Sequence, residues 1–257
     1  MSNEKTDLVI ATPRAVVIHD RPRLPVTAAA SNLLIDSITA TLLVVTGDTG
    51  GAGVDTLVGC IVALMDGSGQ GFRVIELGTT RGYLKGTLEP EEYVFVDVAD
   101  RDVVANLLTA VSEVPSGYPI LLSVNAGAWK DFVEIEGELA PWIERAPERY
   151  RVLVKLAEWS EDSRAEAYYR KKGGPGRVIR CFTEPRRGLR AGAGATNMRH
   201  DPEGGVLQVP RLGERLQHAF YKDKRRLSSA LLEASAGDAM LLARALRLLN
   251  AGLEDVL

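Results

Sequence analysis

The chain is poor in the residues that usually announce a chemistry. Its 257 residues include two cysteines and three histidines. Cys60 and Cys181 are too few and too far apart for a disulfide framework, and such sparing use of cysteine points to a reducing compartment. Cys60 lies in an apolar helical stretch and reads as a small core residue. The scattered histidines and thiols have no metal-ligand spacing. Charge of one sign is not in excess: 31 Lys and Arg stand against 34 Asp and Glu, a net charge of −3, so no global basic field draws in nucleic acid. No apolar run is long and uncharged enough to span a bilayer. The segment Met1 to Asp7 is polar and acidic, unlike a secretory signal or transit peptide, and the expected location is cytoplasmic. A chain of this length can bury a full core without covalent staples.

What is present is a regular alternation of strand and helix patterns. Apolar runs at Thr41–Thr46, Phe72–Leu77, Tyr93–Asp97, Tyr118–Val124, Tyr150–Leu156 and Arg177–Phe182 predict strands. Between them, Val54–Met65, Val103–Val114, Asp131–Arg145 and Asp162–Lys172 predict helices, several closed by glycine clusters such as Gly67-Ser-Gly-Gln-Gly71. Continuous apolar strands separated by helices predict a doubly wound, mostly parallel α/β sheet covered on both faces. The first forty residues form a mixed extension in which Ala15–Asp20 could be a strand. Residues 41–210 form the expected α/β core, with a glycine-rich, polar loop over Ala191–Gly205. Residues 211–257 form a helical C-terminal section, expected as helices at Leu212–Phe220, Lys222–Ala234 and Asp238–Leu257, with Asp238 as N-cap of the last. The leucines of that last helix suit packing on the sheet or joining of subunits.

The most informative segment is Thr41-Leu-Leu-Val-Val-Thr-Gly-Asp-Thr-Gly-Gly-Ala-Gly-Val-Asp-Thr56. An apolar strand runs into a glycine-rich turn and then into a helix. That layout gathers backbone N–H groups and a helix N-terminus around one concavity that suits an anion. Asp97 closes another apolar strand, and in parallel sheets ligands gather beyond the C-terminal strand ends. Asp97 could hold a metal there, cap the following helix or pair with Arg101.

Gly47 to Thr56 resembles the deviant Walker A loop of the ParA/MinD family of ATPases, which reads lysine-glycine-glycine-x-glycine-lysine-serine/threonine. Gly50, Gly51 and Gly53 keep the glycines. Thr49 replaces the signature lysine, Val54 the second lysine and Asp55 the magnesium-binding hydroxyl residue, with Thr56 next in line. Arg73-Val-Ile-Glu76 falls where the family has its second strand, and Glu92-Tyr-Val-Phe-Val-Asp97 resembles its Walker B strand. Asn125-Ala-Gly127, and Tyr221-Lys-Asp-Lys-Arg-Arg-Leu227 with the leucine-rich ending, are similar to the plasmid conjugative-transfer and stability (TraL/StbB-like) branch. The resemblance implies a P-loop NTPase-like fold, ATP or ADP with Mg2+ at Gly50, Gly51, Gly53, Asp55 and Thr56, magnesium beside Asp97, and a homodimer or other protein partner. It implies a role in assembly or positioning, as in plasmid transfer. The missing lysines leave backbone dipoles alone against the phosphates. Asp55, and Asp48 if it lies close, would repel them, since two like charges about 4 Å apart cost roughly 4 kcal/mol at an effective dielectric of 20. Weak nucleotide binding and little or no hydrolysis are the expectation.

Two other classes fit parts of the chain. Thr46-Gly-x-x-x-Gly-x-Gly53, Asn125-Ala-Gly127 and Tyr168-x-x-x-Lys172 are similar to elements of the short-chain dehydrogenases, which would make NAD(P) the cofactor and Tyr168 the acid. Against this stand the long extension before the glycine strand, the break at Gly173-Gly-Pro-Gly176 and the closeness of Ser160 to Tyr168. A non-enzymatic interaction protein would use the leucine-rich helix, or contact DNA through Arg186, Arg187, Lys222, Lys224, Arg225 and Arg226, though basic clusters on helices are commonly solvated faces.

Overall fold

The structure, a computed structural model, describes residues 41–49, 53–145, 147–156, 163–173, 178–183, 205–209 and 211–254. The N-terminal extension, Gly50, Gly51, Ser160, Arg186 and Arg187 lie outside the described residues. Seven strands, β1 (Leu42–Thr46), β2 (Arg73–Gly78), β3 (Tyr93–Asp97), β4 (Ile120–Val124), β5 (Tyr150–Lys155), β6 (Val178–Thr183) and β7 (Gly205–Val209), form one sheet in the order β3-β2-β4-β1-β5-β6-β7. Every strand pairing is parallel. β1 and β4 are buried along their whole length, as their unbroken apolar runs require.

Among the described residues the α-helices are α1 (Val54–Ser68), α2 (Val103–Ser112), α3 (Trp129–Arg145), α4 (Arg164–Gly173), α5 (Glu214–Tyr221), α6 (Leu227–Glu233) and α7 (Ala236–Glu254). They divide between the two faces of the sheet. α1, α5, α6 and α7 share a core with Leu43, Val45, Leu153 and Cys181. α2, α3 and α4 share the other with Leu42, Val44, Leu122 and Val152. This is the doubly wound arrangement that the alternating pattern predicts. α7 lays Leu242, Leu246, Leu249 and Leu253 into the first core, and leaves Met240, Leu241 and Leu248 exposed.

The predicted strands start and end within two residues of the observed ones. Three local readings change. Gly205–Val209 is a seventh strand on the β6 edge, hidden in the sequence at the end of a glycine-rich stretch. Lys222–Arg226 is a connector between α5 and α6, and Lys224 in it has φ 54°. The last helix is capped by Ser235: its Oγ accepts the Asp238 N–H at 3.2 Å and donates to Asp238 Oδ2 at 2.8 Å. Asp238 is thus the third residue of the helix, its N–H held by the Ser235 hydroxyl, and the cap lies three residues earlier than the sequence reading places it.

α1 is the helix that matters for the site. It starts after Gly53 and ends at Gly69, whose φ of 68° closes the C-terminus with N–H bonds back to α1 carbonyls. Midway, Gly59 faces α5: a Cβ there would sit 2.8 Å from Phe220 Cε2 and Cζ. Alanine would normally gain about 1 kcal/mol of helix propensity over glycine. Here the Phe220 ring is buried and has no room to retreat. Gly59→Ala is therefore expected to lower stability, by about 1–3 kcal/mol of overpacking less that gain, measured by urea denaturation.

Candidate functional site

In this topology β1 is followed by a crossover to β2 on one side, and β4 by a crossover to β5 on the other. Adjacent strands whose connections depart in opposite directions leave a crevice beyond their C-terminal ends. A pocket of about 530 Å³ opens there, lined by Thr49, Gly53, Val54 and Asp55 after β1, and Asn125, Ala126 and Gly127 after β4. Thr80, Gly82 and Tyr83 from the β2–β3 connection and Tyr221 from the end of α5 complete the wall. The pocket wall thus brings Gly53, Asp55 and Asn125-Ala-Gly127 together.

Gly53 has φ 89° and stands at the N-cap of α1 with no side-chain cap. A left-handed residue there costs glycine nothing, and Gly53 itself offers no side-chain acceptor to the first N–H groups of α1. Their partial positive charge faces the pocket end of the helix. Val54, at the place of the second lysine, is buried in the α1-side core.

The carboxylates are arranged differently from the sequence reading. Asp48 does not crowd the phosphate position. Its two oxygens accept the N–H groups of Arg164 and Ala165, both at 2.8 Å, so it holds the N-terminus of α4. Asp97 ends β3, the edge strand, with β2 and β4 between it and β1. Three strand spacings of about 4.8 Å put β3 roughly 14 Å from β1. Asp97 Oδ1 accepts the Ala99 N–H at 2.9 Å, forming a local turn, and Asp97 is not part of the pocket wall. The structure therefore does not bring Asp97 to Gly53, Asp55 and Thr56.

The carboxylate that does stand behind the pocket is Glu76 on β2, fully buried. It accepts the Tyr93 hydroxyl at 2.7 Å, the Asn125 Nδ2 at 3.1 Å and the Gly82 N–H. Asn125 also donates to the Thr80 carbonyl at 2.9 Å, tying the ends of β2 and β4 together. Asp55 stands close by. Burial, and next the charge of Glu76, raise its pKa from 3.8 to about 6, against the Tyr83 backbone hydrogen bond and Lys224, which lower it.

The C-terminal section reaches into the same place. The Tyr221 hydroxyl hydrogen-bonds to Thr56 Oγ1, so Thr56 meets a protein group. Tyr83 and Tyr221 meet edge to face with ring centroids 4.9 Å apart. Lys224 Nζ lies 4.3 Å from the Tyr83 ring centroid and donates to the Tyr83 carbonyl at 3.3 Å. Arg226 pairs with Asp66 at 3.2 Å and with Glu92, and Arg225 with Glu233 at 2.6 Å. The connector that the sequence offers as a basic patch directs these two guanidinium groups at carboxylates of the chain itself.

Tyr168 and Lys172 lie on α4. Lys172 Nζ pairs with Glu136 at 3.0 Å, and Tyr168 packs on the core beneath α2, α3 and α4. Neither residue lines the pocket.

Sequence reasoning missed Lys155. It closes β5 beside β1, it is 1% exposed, and a Cβ on Gly53 would lie 3.8 Å from its Cε. The available signal was a lysine at the end of the run Val152-Leu-Val154, in phase with the core residue Leu153.

No family model matches this chain, and no curated protein matches it. Among solved structures, one similar chain is described as the crystal structure of LAO/AO transport system kinase, with TM-score 0.40 and 14% sequence identity over 88% of this chain and 69% of that one. Among the described residues there is no helix long and apolar enough to cross a membrane, and no cluster of three or more metal-ligating His, Cys, Asp or Glu side chains.

Proposed function

We propose that this chain is a P-loop-like protein that binds the phosphates of a nucleotide, ATP or ADP, at the start of α1, and turns it over slowly or not at all. The observation that carries the reading is the uncapped N-terminus of α1, with Gly53 at φ 89°, opening into the pocket at the switch between β1 and β4. Binding without fast hydrolysis follows from Val54 and Thr49, which offer no cation to the charge that develops on a transferring phosphoryl group. The resemblance to the ParA/MinD-like plasmid transfer and stability proteins supports a role in assembly or positioning, with a homodimer or another protein as partner.

Magnesium fits the donor set at one point. Asp55 is a carboxylate that burial and Glu76 make reluctant to ionise, and a divalent cation between it and the phosphates would offset both effects. Asp55 would then hold the ion in place of the family's hydroxyl residue, and the ion would neutralise phosphate charge.

Replacing Asp55 by serine restores the hydroxyl and removes the repulsion. Affinity for ATP without magnesium is expected to rise by about tenfold or more in Asp55→Ser. With magnesium the gain should shrink, because the native carboxylate then has a cation to meet. Calorimetric titration of both proteins with ATP, with and without Mg2+, checks this. Equal affinity without the metal would place the phosphates elsewhere, and ATP turnover as fast as in lysine-bearing relatives would end the reading of a slow enzyme. NADH titrated alongside tests the dehydrogenase alternative. That alternative has Asn125, Ala126 and Gly127 at the pocket but not Tyr168.

A further inference from the structure

Four side chains of the Asp, Glu, Lys and Arg types are buried among the described residues: Glu76, Glu136, Lys155 and Glu166. Three are answered. Glu136 meets Lys172 at 3.0 Å, Glu166 meets Arg180 and Arg170 at 2.8 Å, and Glu76 collects three hydrogen-bond donors. Lys155 is the exception. Its Nζ donates to the Leu156 carbonyl at 2.6 Å, and among the described residues no carboxylate pairs with it. An ammonium has three N–H groups and a full charge, and burial leaves both in need of an acceptor.

The place of Lys155 says what is missing. β5 is one of the two neighbours of β1, with Leu153 opposite Val45, and Lys155 continues the same face two residues on. That face lies under α1. The lysine stem passes Gly53, with Cε 3.8 Å from the point where a Cβ would be. On the other neighbour of β1, Ser123 of β4 stands opposite Val45 on this same face. Its hydroxyl is also buried and has no hydrogen-bond partner among the described residues. Buried polar groups without partners are rare and call for a reason. An unpartnered hydroxyl, Ser123, and an ammonium with one acceptor and no counter-charge, Lys155, therefore flank β1 at the foot of α1, whose N-cap Gly53 supplies no side-chain cap.

We propose that Lys155 is the cation of the anion site at the start of α1, reaching it from β5 in place of the loop lysines that Thr49 and Val54 have replaced, and that its ligand is a polyphosphate. The proposal rests on the nucleotide reading above for the identity of the ligand, and on Lys155 alone for the mode of binding. An anion there supplies the acceptor and the counter-charge together. Burial lowers the Lys155 pKa from 10.5 to about 8, with Cys181 raising it and Arg211 lowering it further. These two, from β6 and from the segment before α5, are the ionisable groups that act on it. The ligand therefore binds the protonated form and holds the proton on.

The test is calorimetric titration of the full chain, native and Lys155→Met, with magnesium-free ATP and with inorganic pyrophosphate at pH 7 and pH 9.5. Urea denaturation confirms that the variant is folded. The native protein is expected to bind both ligands and to lose about tenfold or more in affinity at the higher pH, where Lys155 is mostly neutral before binding. Near pH 8.5 it should take up protons on binding, read from the dependence of the heat on buffer ionisation. Lys155→Met should bind about 10- to 100-fold more weakly at pH 7, with the pH dependence and proton uptake gone. Lysine-dependent binding of pyrophosphate but not ATP keeps the proposal and ends the nucleotide reading. ATP binding unchanged by Lys155→Met ends the proposal and leaves that reading standing. A native protein that binds neither ligand at millimolar concentration ends both.

Discussion

Lys155→Met is expected to make the ligand-free protein more stable at neutral pH. The native lysine is 1% exposed and titrates at about 8 where 10.5 is usual, because burial disfavours its charge. At about 1.4 kcal/mol per pKa unit that lowering corresponds to roughly 3 kcal/mol. The sign follows from proton binding. Between pH 8 and pH 10.5 the unfolded chain holds a proton on this lysine that the folded chain has released, so stability rises with pH across that window. Below pH 8 both states are protonated and the full cost is present. Methionine keeps most of the stem and none of the charge. It forfeits the hydrogen bond to the Leu156 carbonyl, worth about 1 kcal/mol. The net gain at pH 7 is therefore about 2 kcal/mol, or roughly 4–8 °C in Tm for a chain of this size. The gain should vanish towards pH 10.5. Paired urea titrations of both proteins at pH 7 and pH 10 read it directly, and comparing the two proteins removes other groups that titrate in the same range. A variant no more stable than the native protein at pH 7 would mean that the ammonium already has a partner.

The contrast between Asp48 and Asp55 shows what sequence could and could not say about this site. The strand and the helix after it are local features, written in apolar period and glycine placement, and they stand where the sequence predicts. The charge balance at the turn is not local. Asp48 and Asp55 look alike in the sequence, yet Asp48 turns to the N-terminus of α4, over a hundred residues away, while Asp55 stays at the pocket beside Glu76. Lys155 and Tyr221 arrive from β5 and α5 by tertiary packing. Asp97 illustrates the opposite error. A carboxylate at a strand end is a legible feature, but strand order is not, and β2 and β4 intervene between β3 and β1. The seventh strand went unread because GVLQV starts on the last glycine of a glycine-rich, polar run and its apolar stretch is broken by Gln208.

The strand order also explains why Glu76 holds the pocket together. It comes from β2, between β3 and β4, and its acceptors serve one donor from each neighbour: the Tyr93 hydroxyl from β3 and the Asn125 amide from the end of β4. The third donor, the Gly82 N–H, belongs to the connection that carries Thr80 and Tyr83 to the pocket wall. A Cβ on Gly82 would lie 2.6 Å from Glu76 Oε1, so the approach of backbone to carboxylate depends on glycine there. Glu76→Ala removes the acceptor from three donors at a fully buried point. Each orphaned donor costs about 1–3 kcal/mol, and partial rehydration of the emptied space limits the total, so a loss of about 3–5 kcal/mol is expected. Glu76→Gln keeps one carbonyl acceptor and the volume, and should lose about 1–2 kcal/mol. The two variants separate charge from hydrogen bonding. If the anionic charge of Glu76 itself held the structure, glutamine would be as damaging as alanine. If the acceptors hold it, glutamine falls well short of alanine in urea denaturation, and hydrogen exchange speeds up at Gly82 and along the β2–β3 connection chiefly in the alanine variant. Equal, small losses in both would show that the pocket wall stands without Glu76, leaving this buried carboxylate with no structural reason to be there.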